Sequence, residues 1–161
     1  MKKYTALAVF SFLFSSFNYS QQYKFAFGIK GDWSNLNSDL AELSVKGFLN
    51  QNAAIEANFG AGQRYVWLDC IFHYNQALKN DFDWYFGGGA DFGYWNTNYD
   101  KRYDNATHTG FWVGTSGVLG LEYTVKQFPI NFALDLGPTI RYIPELDFGV
   151  KVGFAMRYAI R

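Results

Sequence analysis

The sequence predicts an all-β fold, an eight-stranded, antiparallel, up-and-down transmembrane β-barrel. From Asp147 to Arg161 large apolar residues alternate with small or charged ones, which is the period of a β-strand with two different faces. Glycines and alanines share the charged face, as a crowded interior requires, so the apolar face is expected to contact lipid. Aromatic residues make up 21% of the chain, and no apolar run reaches the roughly 20 residues of a membrane-spanning helix.

Eight segments show the alternation. We expect strands at 23–32, 41–49, 53–60, 64–75, 82–95, 110–125, 130–142 and 147–161. An even number of strands lets an antiparallel barrel close, and closure pairs every strand edge, as lipid demands. With both ends of the barrel in the periplasm, segments 33–40, 61–63, 96–109 and 143–146 would be extracellular. The longest connection then lies outside, which is typical of such barrels.

The first four segments place apolar side chains on one face. These are Phe25, Phe27 and Ile29, then Leu43 and Val45, then Ile55, Ala57 and Phe59, then Val66, Leu68, Cys70 and Phe72. A tight turn at Asn50-Gln51-Asn52 separates the second segment from the third. Cys70 is the one cysteine, so it cannot form an internal disulfide, and its position predicts a lipid-facing thiol.

The last four segments continue the pattern, least regularly at the start of the sixth. Their outward members are Phe82, Trp84, Phe86, Phe92 and Tyr94, then Leu119, Leu121 and Tyr123, then Phe132, Leu134, Leu136 and Ile140, then Phe148, Val150, Val152, Phe154, Met156, Tyr158 and Ile160. Aromatic residues near strand ends, such as Trp84 and Tyr158, fit girdles at the membrane interface. Glycines 87–89 lie mid-strand, where they relieve crowding.

The N-terminus resembles a secretory signal. Lys2 and Lys3 precede a short apolar stretch, which predicts a cleaved signal peptide at about 1–20 and a single barrel domain at 21–161. Of the 14 Lys and Arg residues, 12 then remain against 14 acidic ones, a net charge of −2. Nucleic acid is not an expected partner, because its backbone would need a basic surface.

The inward positions form a predicted interior polar network. Its members are Lys24, Lys30, Glu42, Lys46, Glu56, Asp69, His73, Asp83, Asp91, Glu122, Asp135, Arg141, Lys151 and Arg157. An eight-stranded barrel is just wide enough for side chains to fill, so opposite charges there should pair and plug it. The alternative is a proton or ion path through the interior.

The sequence shows no motif for catalysis, a metal or a cofactor, and we predict none of the three. Asn96, Asn98 and Asp100 have the spacing of a calcium loop, but Lys101 stands where that loop needs glycine. A rim site for acyl transfer could use Ser34, Ser38, Asp104 and His108, although no motif fixes their relative positions.

Two stretches of the C-terminal half resemble a known family. They are 85–90, Tyr-Phe-Gly-Gly-Gly-Ala, and 117–126, Gly-Val-Leu-Gly-Leu-Glu-Tyr-Thr-Val-Lys, followed by Pro129 and Asp135. Together they are similar to small outer-membrane β-barrel proteins of Bacteroidota. The resemblance implies outer-membrane lipid and the barrel-assembly machinery as partners, and it implies no catalytic residues. Chains of that family usually end in an aromatic residue, whereas this one ends in Arg161.

The function expected from these features is structural, or surface recognition of an extracellular ligand through loops 33–40 and 96–109, in the cell outer membrane. The alternatives are a narrow pore for small solutes and a lipid-modifying enzyme at the rim. A soluble ligand-binding barrel would require the two faces to be inverted, and the charged inward set argues against it.

Overall fold

The eight predicted strands close into one barrel. In the structure, a computed structural model, the described residues are 23–36, 40–62, 65–78, 81–96, 109–125 and 127–161. The strands are β1 (Phe25–Ser34), β2 (Leu40–Phe48), β3 (Ala53–Ala61), β4 (Tyr65–Ala77), β5 (Phe82–Asn96), β6 (Thr109–Thr124), β7 (Ile130–Ile143) and β8 (Asp147–Ile160). Each pairs antiparallel with its neighbour in the chain, and β1 pairs with β8, so the predicted up-and-down barrel is confirmed.

The assignment of the two faces is also confirmed. Along β8, Phe154, Met156 and Tyr158 are 54%, 43% and 51% exposed, while the alternating Ala155 and Arg157 are 0% and 1% exposed. The same alternation runs through β4, from Trp67 to His73. The apolar face is therefore outside and the charged face inside, which excludes the inverted arrangement of a soluble barrel with an apolar cavity.

The barrel has two different ends. The turn end carries Phe25 paired with Ile160, so both ends of the described chain lie there, together with connections 49–52, 78–81 and 125–129. At the loop end β1 is followed by β2, β3 by β4, β5 by β6 and β7 by β8. Asn96 and Thr109, the residues that flank the longest connection, pair at this end, as the sequence predicts.

Large inward side chains lie over small residues of the neighbouring strand. The indole ring of Trp67 covers Gly60, the phenol of Tyr85 covers Gly120, and the indole of Trp112 covers Gly93, so that a Cβ on any of these glycines would collide with the ring. Gly89 makes a different contact, because its Cβ would lie 2.7 Å from the Cα of Ile71. These glycines let eight strands enclose a lumen full of bulky side chains.

Small departures from the predicted strands occur at their ends. Asp32 was expected to end the first strand, but β1 continues to Ser34. The irregular first half of the sixth segment contains a register shift between Val113 and Gly114 where β6 pairs with β7.

The predicted signal peptide at 1–20 lies outside the described residues. Within the described part of the chain, no helix is long and apolar enough to cross a membrane.

Candidate functional site

The candidate site is the lumen itself, because the polar network occupies it from end to end. The structure buries eleven of the predicted members: Lys30, Glu42, Lys46, Glu56, Asp69, His73, Asp83, Glu122, Asp135, Arg141 and Arg157. Asp91 and Lys151 are half-buried. The network divides into three clusters along the barrel axis, and each joins strands that are distant in the chain.

The turn-end cluster centres on Glu122 of β6. Tyr23 donates its hydroxyl proton to this carboxylate at 2.5 Å, and Asn131 of β7 donates from Nδ2 at 2.7 Å. Lys46 of β2 forms an ion pair with the same carboxylate from the opposite wall. Asn131 also reaches the hydroxyl of Thr124 at 3.0 Å. Both oxygens of Glu122 are therefore used, and these side chains fill the turn end of the lumen.

The central cluster joins Lys30 of β1 to carboxylates of two other strands, β3 and β7. Its ammonium lies 3.2 Å from Glu56 and 3.3 Å from Asp135. Arg157 approaches the second oxygen of Glu56 at 2.6 Å and donates from Nε to Ser44 at 2.9 Å. All of these side chains are buried. Because charges taken out of water must be compensated, this cluster plugs the middle of the barrel with paired ions.

The loop-end cluster has more carboxylates than cations. Lys151 lies 3.0 Å from Asp32 and 3.0 Å from Asp69, so it bridges β1 and β4 from β8. Glu42 accepts a hydrogen bond from the indole Nε1 of Trp67 at 2.5 Å. A cavity of about 40 Å³ opens beside these groups.

Two further predicted members line the same cavity. Asp91 accepts hydrogen bonds from the hydroxyl of Ser116 at 2.7 and 2.8 Å. The guanidinium of Arg141 lies 5.1 Å from the centre of the Trp112 ring, which is cation–π distance. Both belong to the rim of the loop-end cluster.

His73 is a buried ring in a stack. It packs against Tyr85 with ring centres 4.6 Å apart and planes 10° from parallel, and its Nδ1 is 3.9 Å from Glu56. Tyr85 in turn donates to Asp135 at 2.8 Å. The imidazole therefore sits beside the central cluster, and its role in the described structure is packing.

Lys24 is a correction to the predicted network. It precedes β1 and is exposed, because the alternation breaks ahead of the strand, where Tyr23 instead of Lys24 enters the lumen. Tyr23 and Asp32 were missed. Asp32 lies two residues after Lys30 on the inward face, so the alternation predicts it once it is extended that far. Tyr23 occupies an outward position of the alternation, so the sequence pattern gives no sign that it is buried.

The rim candidates lie mostly beyond the described residues. Ser38, Asp104 and His108 fall there, and so do Asn98 and Asp100 of the calcium-like spacing. Much of loops 33–40 and 96–109 is likewise not described. Ser34 is described, and its hydroxyl accepts a hydrogen bond from the backbone N–H of Leu36 at 3.1 Å.

The fold and the lumen define a small eight-stranded β-barrel with an ion-paired interior. Its fold is similar to that of the N-terminal β-barrel domain of Pseudomonas aeruginosa OprF, with a TM-score of 0.56 and 14% identity over 85% of this chain and 100% of that chain. It is also similar to Neisserial surface protein A, NspA, with a TM-score of 0.53 and 10% identity over 84% of this chain and 94% of that one. Comparison with family profiles and with curated proteins finds no match. At these identities the likeness concerns the fold.

Replacing Lys30 by Met tests the central cluster. Lys30→Met leaves Glu56, Asp135 and Asp32 without their shared cation, so we expect the free energy of unfolding to fall by roughly 3–5 kcal/mol. Urea titration of the folded protein in detergent micelles measures it. Lys24→Met is the matched control, with an expected change within about 0.5 kcal/mol, because that side chain is exposed. Equal losses in both variants would contradict the assignment.

Proposed function

We propose that this chain is an integral protein of the outer membrane whose plugged barrel has a structural or surface-interaction role. The observation that carries the proposal is the pairing of an apolar outer wall with an ion-paired lumen. Large apolar side chains cover the outside on every strand, and the buried charges of the central cluster cross the inside. Lipid is the solvent that suits such an outer wall, and closure leaves no backbone edge exposed to it.

The distribution of aromatic side chains supports this placement. Near the turn end, Phe27 packs against Tyr158 at 5.7 Å between ring centres, and Phe82 packs against Tyr123 at 4.7 Å. Near the loop end, Phe92 packs against Phe111 at 6.4 Å. Between them the wall contains aliphatic residues, including Leu119 and Leu134, together with Phe86 and Phe154, which pair with these two leucines. Aromatic residues near both ends of an apolar wall are typical of a barrel with a membrane interface on each side.

The partners follow from this location. The outer wall contacts outer-membrane lipid, and the barrel-assembly machinery inserts it. The loop end faces the outside of the cell, where loops 33–40 and 96–109 would contact a ligand. One similar structure, NspA, is a surface protein by name, which agrees with a role at this end. The described residues show no nucleophile paired with a base at the rim, so a lipid-modifying activity receives no support from them.

Cell fractionation followed by gel electrophoresis tests the location and the closed barrel. We expect the protein in the outer-membrane fraction, with a band that migrates differently before and after boiling, since a closed barrel resists detergent until heated. A soluble periplasmic protein without a heat-dependent shift would contradict the proposal.

An arginine on the outer wall tests the contact with lipid. Leu136 of β7 is 56% exposed and pairs with Leu119 and Val152 on the outer face. We expect Leu136→Arg to cost roughly 2–4 kcal/mol in vesicles, because it places a charge in hydrocarbon. Leu146→Arg is the control, since Leu146 is 61% exposed in connection 144–146, and we expect about 0–1 kcal/mol there. A barrel surrounded by water would tolerate both changes equally.

A narrow pore is the second candidate function. It is favoured by one observation, namely that polar and charged side chains line the described lumen from the turn-end cluster to the loop-end cavity. In the structural or surface-interaction role the central cluster keeps the lumen closed, whereas in a pore this cluster must open.

Conductance in planar bilayers separates the plug from the pore. We expect no stable current steps from the natural chain, because the central cluster blocks the lumen. Arg157→Ala removes a fully buried side chain that bridges Glu56 and Ser44, so steps should appear in that variant. Arg161→Ala, at the exposed end of β8, should stay silent. Stable steps from the natural chain would establish the pore instead.

A further inference from the structure

The loop-end cavity carries an excess of negative charge. The charged residues that line it are the carboxylates of Asp32, Glu42, Asp69 and Asp91 and the cations of Arg141 and Lys151, which leaves two negative charges in excess when all four carboxyl groups are ionised. Its volume of about 40 Å³ exceeds the roughly 10–15 Å³ that one water needs. A partly dehydrated ion with an attendant water therefore fits.

Three of the carboxylates converge on one point. Oxygen atoms of Asp32, Glu42 and Asp69 all lie within 4.8 Å of one another, and all three residues are buried. Calcium holds its oxygen ligands at about 2.3–2.6 Å in a flexible arrangement, so two ligands on opposite sides of the ion are about 4.6–5.2 Å apart. Magnesium holds its ligands at about 2.0–2.1 Å in strict octahedral geometry, so its opposite ligands are closer together. Separations within 4.8 Å admit either ion. Three carboxylates from separate strands favour calcium, because its coordination is flexible whereas that of magnesium is strictly octahedral.

One carboxylate oxygen of this group is available. Glu42 is 4% exposed, and its Oε1 is held by Trp67, but its Oε2 has no hydrogen-bond partner among the described residues. Burying an ionised oxygen without a partner is costly, so this oxygen must either hold a proton or have a cation beside it. Glu42 lines the cavity, which is where such a charge can sit.

Lys151 is a tethered competitor for the same ligands. Its ammonium occupies one side of Asp32 and Asp69, at 3.0 Å from each. Its side chain is 16% exposed, whereas those of the two aspartates are 2% and 3% exposed, so the lysine is the member with access to solvent. A divalent ion among the three carboxylates would repel the ammonium and displace it outward.

We propose that the loop-end cavity is a calcium site whose ligands are Asp32, Glu42 and Asp69, with Lys151 as the built-in competing cation. The inference goes beyond the structural role proposed above and does not depend on where the barrel is located. The indole of Trp67, bonded to Glu42, lies next to the proposed ion and reports on it.

Calcium titration of the refolded full-length chain in detergent micelles tests the site, by calorimetry and by tryptophan fluorescence. We expect saturable binding with a dissociation constant of about 1 mM or below, and weaker binding of Mg²⁺. Glu42→Gln should weaken binding roughly tenfold or more, and Lys151→Met should strengthen it by a similar factor, because each changes one unit charge beside the ion. Glu145→Gln is the matched control, since it removes an exposed carboxylate at the same end and should leave the affinity unchanged.

The two lumen variants are expected to change the calcium affinity in opposite directions. The test is therefore decisive, because a variant that failed to fold could not gain affinity. Boiled and unboiled samples on a gel show whether each variant is folded. Absence of binding in the natural chain, even if Lys151→Met binds calcium, would overturn the proposal and make Lys151 the permanent occupant. Undiminished binding in folded Glu42→Gln would also overturn it, and tighter binding of Mg²⁺ than of Ca²⁺ would overturn the assignment of the ion.

Discussion

The width of the lumen is the constraint on which the rest of the structure depends. Eight strands enclose a space that side chains from opposite walls can span, so inward residues contact partners far away in the chain. Tyr23 and Glu122 are 99 positions apart, and Lys151 and Asp69 are 82 apart, yet each pair is within hydrogen-bond distance. Since the lumen is too narrow to hydrate every charge, pairing across it becomes the condition for closure.

That condition explains the sizes of the residues on the inner face. A side chain as large as Tyr85 or Trp67 can point inward because glycine lies beside it on the next strand, at Gly120 and Gly60. At the middle of the barrel, Gly153 in the same way leaves space for charged side chains. A Cβ there would lie 2.5 Å from Asp32 and 2.5 Å from Asp135, the carboxylates that flank Lys30. Small and charged residues share one face because the ions need that space.

The alternation in the sequence was sufficient to predict the strands and their faces, because a period of two assigns each residue to one side of the wall. It could not predict which charges pair. Partners depend on the stagger of strands around the barrel, so Lys30 meets Asp135 on a strand that is not its neighbour. The alternation of inward and outward positions also breaks where a strand ends. Lys24 has inward parity and is exposed, whereas Tyr23 has outward parity and is buried, since both precede β1.

The two ends of the lumen differ in whether a cavity lies beside their carboxylates. At the turn end both oxygens of Glu122 are bonded, although the buried side-chain amide of Asn75 has no hydrogen-bond partner among the described residues. At the loop end Lys151 pairs with Asp32 and Asp69, and Lys30 also lies 3.7 Å from Asp32. The second oxygen of Glu42 has no hydrogen-bond partner among the described residues, and Glu42 lines a cavity. The cavity therefore makes the loop end the part of the lumen with room for a further group beside its carboxylates.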